Sequence, residues 1–202
     1  MYLQSTFNIG SKLSTLYYMM EHSNLKAFPK LTIERLTLRQ LSVSDVQEIF
    51  QLRSNPLINK YLNRQLCKTL DEALQFIEKI KNNTLTYWAI TEKGNQTLVG
   101  TICLFDISEE LKTGEIGYEL LAQHQGKGIM KEAAKRIIKY SNEALGLKTI
   151  NAYAHKDNIS SINLLQKLKF SRTDNLDERD SDLMLFRLTL IVKEVNQLSK
   201  AF

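Results

Sequence analysis

Two glycines between an apolar and a charged segment form the most informative short motif of this 202-residue sequence. The stretch ELLAQHQGKGIMKEAAKRII places Gly126-Lys127-Gly128 directly before residues with helical periodicity. The first turn of a helix has backbone N–H groups without intrahelical partners, and the helix dipole attracts anions there. Glycine permits such a turn and lets a ligand approach the backbone closely. The motif therefore predicts a phosphate-binding turn.

Two common phosphate-binding motifs do not fit these residues. A P-loop needs Ser or Thr after its lysine, whereas Gly128 follows Lys127 here. A dinucleotide-binding fingerprint needs a third small residue at position 131, which is lysine, and a parallel strand early in the chain. A purely structural turn stays open as an alternative for a glycine pair before a helix. The surrounding elements must decide between these interpretations.

The hydrophobic pattern predicts a mixed α/β chain with a single domain at residues 30–202. Residues 32–41 read as a first strand. Two amphipathic helices follow, each after a capping box, Ser44 with Gln47 and Thr69 with Glu72. Two β-rich segments then flank a glycine-containing loop at 92–95, as in a hairpin. The remaining elements are a strand at 114–122, a helix at 128–145, a strand at 149–156, a helix at 160–169 and a strand at 183–192.

Composition and charge exclude several functional classes. The net charge is +5, but basic and acidic residues are interspersed, so no basic stripe marks a nucleic-acid surface. No apolar run reaches the roughly 18 residues of a membrane span. Cys67 and Cys103 lack metal-ligand spacing, which favours buried thiols in a reducing compartment, the cytoplasm, and no metal site. Residues 1–29 read as an N-terminal extension, poorly ordered or ahead of a true start at Met19-Met20.

In context, the glycine motif resembles the acyl-CoA motif of the GNAT superfamily of N-acetyltransferases, Gln/Arg-x-x-Gly-x-Gly/Ala, which Gln123 to Gly128 match. The likeness is greatest to the RimJ/RimL-like branch, the ribosomal-protein-alanine acetyltransferases. TIERLTLRQLSVSDVQEIF is similar to the opening strand and helix of that branch, LVGTICLFDI to its hairpin and EIGYEL to its fourth strand. DNISSINLLQKLKF resembles its Asn-x-x-Ser…Gly-Phe segment. The resemblance covers about residues 31–192 in order.

The resemblance implies a GNAT-type fold, a mostly antiparallel central sheet flanked by helices, with a splayed pair of fourth and fifth strands. It also implies an enzyme that moves an acetyl group directly from acetyl-CoA to a primary amine. A protein or peptide N-terminal amine is the expected acceptor. A small amine such as a polyamine or drug, or a catalytically silent acyl-CoA-binding module, stays open as an alternative. A homodimer is allowed, and no metal, membrane or nucleic-acid partner is expected.

The same resemblance assigns roles to individual residues. Backbone groups at Leu120 and Leu121 are expected to hold the pantetheine arm and to face the thioester carbonyl. Asn158 is expected to bind that arm, to cap its own helix, or both. Ser161 is the expected donor to the leaving thiolate. The pyrophosphate is expected on Gln125, Gly126, Lys127, Gly128, Ile129 and Met130. Glu115 stands where several GNAT enzymes place their general base, and an ordinary surface carboxylate stays open as its alternative. Strand periodicity adds Glu119 as a base candidate, and the titration range of histidine adds His124 and His155.

Three positions depart from the family pattern. Lys169 replaces the glycine usual before the phenylalanine, and Ala122 replaces a proline, so both bear on the local backbone. Leu165 stands where many members carry a tyrosine, which leaves Ser161 as the main proton donor in view. The acidic segment at 174–182 fits either attraction of cationic acceptors or an ordinary solvated turn.

Overall fold

The computed structural model describes residues 28–83, 86–177 and 180–190. The expected N-terminal extension therefore lies outside the described residues, except for positions 28 and 29, and only the backbone is described at 83, 174–177 and 180. Within the described segments, no helix combines the length and the apolar character that crossing a membrane requires. Nor do the His, Cys, Asp and Glu residues of those segments form a group of three or more that could hold a metal ion.

Eight described strands form one sheet. They are β1 Leu31–Thr32, β2 Leu36–Gln40, β3 Tyr87–Glu92, β4 Leu98–Ser108, β5 Thr113–Leu120, β6 Thr149–His155, β7 Ser171–Asp177 and β8 Asp180–Thr189. Their order across the sheet is β1-β2-β3-β4-β5-β6-β8-β7. Every neighbouring pair is antiparallel except β5 and β6, which are parallel. The predicted mostly antiparallel architecture is confirmed.

Helices cover both faces of this sheet. The described α-helices are α1 Val46–Ser54, α2 Pro56–Asn59, α3 Leu70–Asn83, α4 Ile129–Glu143 and α5 Ile159–Lys167. The two faces have separate hydrophobic clusters, and alternate residues of one strand enter different clusters. Trp88 and Ile90 of β3 pack with α4 and α5, whereas Tyr87 and Ala89 pack with α1 and α3. The sheet thus lies between two hydrophobic clusters.

Two local predictions differ from the structure, and two elements have no sequence prediction. The first predicted strand is two, because a turn with Ile33 N–H donating to the Leu36 carbonyl at 2.9 Å separates β1 from β2. The capping box before α1 is formed by Ser42 and Asp45, two residues earlier than predicted. Asn55 ends α1 and also caps the unpredicted α2, accepting from the Leu57 N–H at 2.8 Å. Strand β7 was also not predicted, because its polar sequence has no hydrophobic alternation.

Other local signals were correct. Thr69 Oγ1 accepts from the Glu72 N–H at 3.2 Å at the start of α3, as its capping box predicted. Asn95 N–H donates to the Glu92 carbonyl at 2.9 Å in the predicted hairpin between β3 and β4. Lys169, which stands where the resembling family has glycine, has a φ of +70°, a left-handed conformation that glycine adopts more easily. The turn after α5 therefore keeps its left-handed backbone, and Lys169 is more strained there than a glycine would be.

Strands β5 and β6 pair over a short distance and then separate. Their register joins Thr113 to Thr149, Gly114 to Ile150 and Glu115 to Asn151, and ends there. Strand β5 continues to Leu120 along β4, while β6 continues along β8. The two strands therefore form a fork whose closed end is at Glu115, as the resemblance implied.

Gly100 of β4 makes the closest backbone approach beside the open part of the fork. A Cβ atom there would overlap the Glu119 carbonyl oxygen and lie 2.7 Å from Leu120 Cδ1. We expect Gly100→Ala to lower the free energy of unfolding by roughly 1–3 kcal/mol, because β4 and β5 must move apart. Urea denaturation measures the change.

Gly94→Asn is the matched control for that substitution. No described atom lies within 4 Å of a Cβ at Gly94, and asparagine tolerates its φ of +84°. A change within about 0.5 kcal/mol is expected for the control. Equal stability of Gly100→Ala and the natural protein would contradict the close approach.

Candidate active site

A cleft of about 580 Å³ occupies the open part of the fork. Its walls come from β5, β6, α4, α5 and the segment 57–62. Tyr118 and Glu119 both line it, and consecutive strand residues point to opposite faces of a sheet. The cleft therefore passes through the sheet. We call its end at Gln125 to Lys131 the glycine end, and its end at residues 57–62 the loop end.

The glycine end begins with two residues in the left-handed backbone region. Gly126 has a φ of +75° and Gly128 a φ of +77°. No described atom lies within 4 Å of a Cβ at Gly126, and only Arg35 Nη2, at 3.8 Å, is near one at Gly128. Helix α4 starts directly after Gly128, which provides no side-chain cap for the first-turn N–H groups. Open space and backbone donors together fit a phosphate or pyrophosphate.

The predicted pyrophosphate residues are brought together with one exception. Gln125, Gly126, Gly128, Ile129 and Met130 line the cleft, whereas Lys127 does not. The Lys127 carbonyl instead accepts from Arg35 Nη2 at 3.5 Å. Two other lysines, Lys131 of α4 and Lys167 of α5, do line the cleft and add positive charge to it.

The end of β5 directs one predicted backbone donor into the cleft. Leu121 N–H already donates to the Val99 carbonyl at 3.0 Å, and Leu120 is the residue opposite Gly100. Since antiparallel partners alternate between bonded and non-bonded pairs, the Leu120 N–H points away from β4 and toward the fork. Gln125 Nε2 donates to the Leu120 carbonyl at 3.1 Å and holds this segment. Leu120 therefore fits the predicted donor role, and Leu121 does not.

A pair of hydroxyl groups lies between the two sides of the cleft. Tyr118 Oη of β5 and Ser161 Oγ of α5 are 2.9 Å apart. Ser161 N–H donates to Asn158 Oδ1 at 3.1 Å, which confirms Asn158 as the N-cap of α5. Burial raises the pKa of Tyr118 to about 12, although the hydrogen bond with Ser161 opposes the rise. The phenol therefore keeps its proton at neutral pH.

A buried ion pair lies beside the loop end, between Arg64 and the cleft-lining Glu119. Arg64 Nη1 donates to Glu119 Oε1 at 3.0 Å, and Arg64 Nη2 donates to Glu119 Oε2. The two side chains are only 5% and 8% exposed. Arg64 Nε also donates to Asn59 Oδ1 at 2.6 Å, which ties the loop to α2. Burial opposes the charge of Arg64, but the contacts with Glu119 outweigh it and raise the pKa of Arg64.

The general-base candidates occupy different places. Glu115 lies at the closed end of the fork and is not among the cleft-lining residues. Glu119 lines the cleft within its ion pair. His124 Nδ1 lies 3.9 Å from Glu92 Oε1, outside the cleft lining. His155 lines the cleft, but its Nδ1 accepts from the Asp157 N–H at 3.1 Å.

The family of the chain follows from the match of its residues 35–171, more than half of its length, to the family described as "Acetyltransferase (GNAT) domain". The chain belongs to the GNAT acetyltransferase family. It is an N-acetyltransferase, as predicted, and the RimJ/RimL-like resemblance is confirmed. Enzymes of this family take the acetyl group from acetyl-CoA.

The names of known relatives of this GNAT acetyltransferase give different substrates or none. The uncharacterized N-acetyltransferase YoaA of Bacillus subtilis (strain 168) is 30% identical over 149 residues, which is 72% of this chain and 84% of that protein. A proposed ribosomal-protein-serine acetyltransferase from Vibrio cholerae has a TM-score of 0.71 at 21% identity, covering 80% of this chain and 98% of that one. Spermidine N-acetyltransferase from Vibrio cholerae in complex with CoA and spermine has a TM-score of 0.67 at 23% identity, covering 77% and 95%. The two structures are similar in fold alone.

Sequence reasoning missed two residues that line this GNAT cleft, Tyr118 and Tyr61, and one beside it, Arg64. Tyr118 lies on the predicted fourth strand, but nothing in the sequence pairs it with Ser161. Arg64 lies in a segment without a readable motif and meets Glu119 only in the folded chain. Tyr61 of the same segment packs on His155 with ring centroids 5.1 Å apart. Each of these residues is recognised only by its contact with a residue that is distant in the sequence.

Breaking the ion pair at the loop end should be costly, because it leaves one buried charge without a partner. We expect Arg64→Met and Glu119→Gln each to lower the free energy of unfolding by about 3–5 kcal/mol. The double variant should lose less than the sum, since it leaves neither charge unpaired. Urea denaturation of the four proteins forms the cycle.

The exposed pair Lys139 and Glu143, 3.8 Å apart, provides the control for that cycle. Glu143→Gln should change the stability by about 0.5 kcal/mol or less. Additive losses in Arg64→Met and Glu119→Gln would show that the two charges are solvated independently.

Proposed function

We propose that this enzyme acetylates the N-terminal α-amine of a protein or peptide with acetyl-CoA. One observation carries the choice of acceptor: Glu119 is the sole carboxylate among the described residues that line the cleft, and Arg64 balances its charge. Such a lining offers a polycation no counter-charge. It also offers the acceptor no ready base, because the Nδ1 of His155 already accepts a hydrogen bond.

The free energy of deprotonation favours an α-amine in such a cleft. An α-amino group with a pKa near 7.8 costs about 1.1 kcal/mol to deprotonate at pH 7, whereas a lysine-like amine near 10.4 costs about 4.6 kcal/mol. Water can take the first proton with little help from the protein. The second amine would need a base that the described lining does not supply.

The geometry of the glycine end supports the proposal that acetyl-CoA binds there. The first-turn N–H groups after Gly128 and the open space at Gly126 fit the pyrophosphate, with Lys131 adding charge. The Leu120 N–H fits a donor to the thioester carbonyl, a contact that can contribute about 2.7–4 kcal/mol to catalysis. Asn158 uses its Oδ1 as a helix cap, so its side-chain NH₂ group is the part proposed for the pantetheine arm. Ser161 is proposed to donate a hydrogen bond to the leaving thiolate.

Polyamines are the second candidate acceptors, because a structural neighbour is a spermidine acetyltransferase and the 174–182 segment is acidic. In that segment, Asp182 is the acid whose side chain is described, and its carboxylate lies 2.6 Å from Lys156 Nζ. The described side chains therefore add no unbalanced anion at this position. A catalytically silent module is the remaining alternative, and turnover distinguishes it.

An acceptor panel tests the proposal. A peptide with a free α-amine should react with the highest kcat/KM. The same peptide with a blocked α-amine and one lysine should react at least about tenfold more slowly, following the difference in deprotonation cost. Release of CoA measures all three reactions, with spermidine as the third acceptor. Preferential turnover of spermidine would support the second candidate, and no turnover of any amine would support the silent module.

The pH dependence of that reaction tests the predicted base. For the α-amine peptide, kcat/KM should rise with pH and level off near the pKa of the peptide, about 7.7–8.0, because only the neutral amine attacks. Glu115→Gln should show the same profile if water takes the proton. A large fall in kcat/KM at every pH in Glu115→Gln, with binding of acetyl-CoA unchanged, would instead identify Glu115 as the base.

Charge placed in the glycine turn should abolish binding of acetyl-CoA. Gly126→Glu and Gly128→Glu each put a side chain and a negative charge where the pyrophosphate is proposed to lie. Calorimetry should show at least a hundredfold weaker binding, about 2.8 kcal/mol. Gly146→Glu is the control, since Gly146 has a φ of +63° and lies beyond the other end of α4, about 22 Å away. Equal affinities in all three variants would refute the phosphate assignment.

Ser161→Ala should lower kcat more than it weakens binding of acetyl-CoA, because a donor to the leaving group matters mainly as the thiolate forms. A fall of about ten- to a hundredfold in kcat is expected. Ser160→Ala, next to it on the cleft wall, should change kcat less than about twofold. Unchanged turnover in Ser161→Ala, with chemistry rate-limiting, would assign the role to water.

A further inference from the structure

The contact between Tyr118 and Ser161 joins two elements that the fork otherwise separates. Tyr118 belongs to β5 and Ser161 to α5, 43 residues later, and their oxygens are 2.9 Å apart. Both residues line the cleft beside Leu120 and Asn158. Leu165, on the same helix, is fully buried and apolar, so it provides no proton donor. Between β5 and α5, the described cleft wall therefore presents the hydroxyls of Tyr118 and Ser161, and Leu165 adds no polar group to them.

The chemistry of the two hydroxyls decides which one donates. A phenol has an ordinary pKa near 10, whereas an aliphatic hydroxyl is nearly as weak an acid as water. The stronger acid is the better donor, and the serine oxygen is the better acceptor. Burial keeps the Tyr118 phenol protonated, with a pKa of about 12. Either hydroxyl could donate in this geometry, and their relative acidity favours donation from Tyr118 to Ser161 Oγ.

We infer that Tyr118 is a positioning residue, whose phenol O–H donates to Ser161 Oγ and thereby directs the Ser161 O–H toward the sulfur of the leaving group. This inference rests on the proposed function. It adds a second hydroxyl to the site, supplied by β5 rather than by α5. The two hydrogen bonds in series polarise each other, so the serine becomes a better donor as negative charge develops on sulfur.

The reaction balances with both hydroxyls unchanged. The amine nitrogen forms a bond to the thioester carbonyl carbon, the carbon–sulfur bond breaks, and its electron pair leaves on sulfur. The nitrogen loses one proton to water, and the sulfur later takes one proton from water. Tyr118 is a weaker acid than a thiol with an ordinary pKa of roughly 8.5, so transfer of its own proton to sulfur would be unfavourable. The pair therefore stabilises the thiolate by hydrogen bonding.

The pKa of the bound CoA thiol reports this contact directly. We would titrate the ultraviolet absorbance of the thiolate in complexes of CoA with the natural enzyme, Tyr118→Phe, Ser161→Ala and the double variant. Ser161→Ala should raise the thiol pKa by about one to two units, because a charge-assisted hydrogen bond is lost. Tyr118→Phe should raise it by roughly half a unit or more and lower kcat about three- to tenfold, with little change in the KM for acetyl-CoA.

The double variant tests whether Tyr118 acts through Ser161. In the Ser161→Ala background, Tyr118→Phe should cause no further change in the thiol pKa or kcat. A further change of the same size would show that Tyr118 contacts the sulfur itself and would overturn the inference. An unchanged thiol pKa in Tyr118→Phe would also overturn it.

Two controls separate this inference from stability and from the proposed function. Tyr140→Phe makes the same chemical change at another buried tyrosine of the same core, outside the cleft lining, and should leave the thiol pKa unchanged. Desulfo-CoA, which lacks the sulfur, should bind all variants equally. If neither CoA nor desulfo-CoA binds the natural enzyme, the proposed function fails; if both bind but the thiol pKa does not respond, only the role of Tyr118 fails.

Discussion

The separation of β5 from β6 is the constraint on which the rest of the structure depends. Parallel pairing over Thr113 to Glu115 holds the sheet together, and beyond it each strand is bonded on one side only. Backbone groups that face such a gap must find another partner, because unpaired buried amides are costly. Gln125 meets part of this need by donating to the Leu120 carbonyl. A ligand with amide groups can meet the rest.

Two cross-connections attach β5 to other elements beyond the closed end of the fork. On the α4 and α5 face, the Tyr118 and Ser161 hydroxyls connect β5 to α5. On the opposite face, the ion pair of Glu119 and Arg64 connects β5 to the loop after α2. Consecutive residues of one strand thus bind partners on opposite faces of the sheet. Movement of β5 would disturb both ends of the cleft together.

The extent to which the sequence predicts this structure depends on how local each signal is. Helices α3 to α5 and strands β3 to β6 were recognised because their periodicity is continuous, and the glycine turn because its residues are adjacent. Strand β7, with the sequence SRTDNLD, has no alternation of its own and is defined by its pairing with β8. The short α2 depends on the single cap that Asn55 provides. Neither β7 nor α2 has a hydrophobic pattern long enough to be detected in the sequence.

The same distinction applies to the site. Gly126, Gly128 and Leu120 lie within nine consecutive residues, so a motif could find them. Tyr118 and Ser161 are 43 residues apart, and Arg64 and Glu119 are 55 apart, so no single sequence indicates their contacts. Only the fold brings these side chains together.

The glycine turn offers main-chain groups to a ligand, whereas the loop end is defined by side chains. Main-chain amides persist through most substitutions, but Tyr61, Arg64 and their neighbours can each be replaced by one change of codon. Substitutions therefore alter the loop end of the cleft more readily than the glycine end. Proteins that diverge from this fold can therefore change their acceptor repeatedly while they keep the same acyl donor.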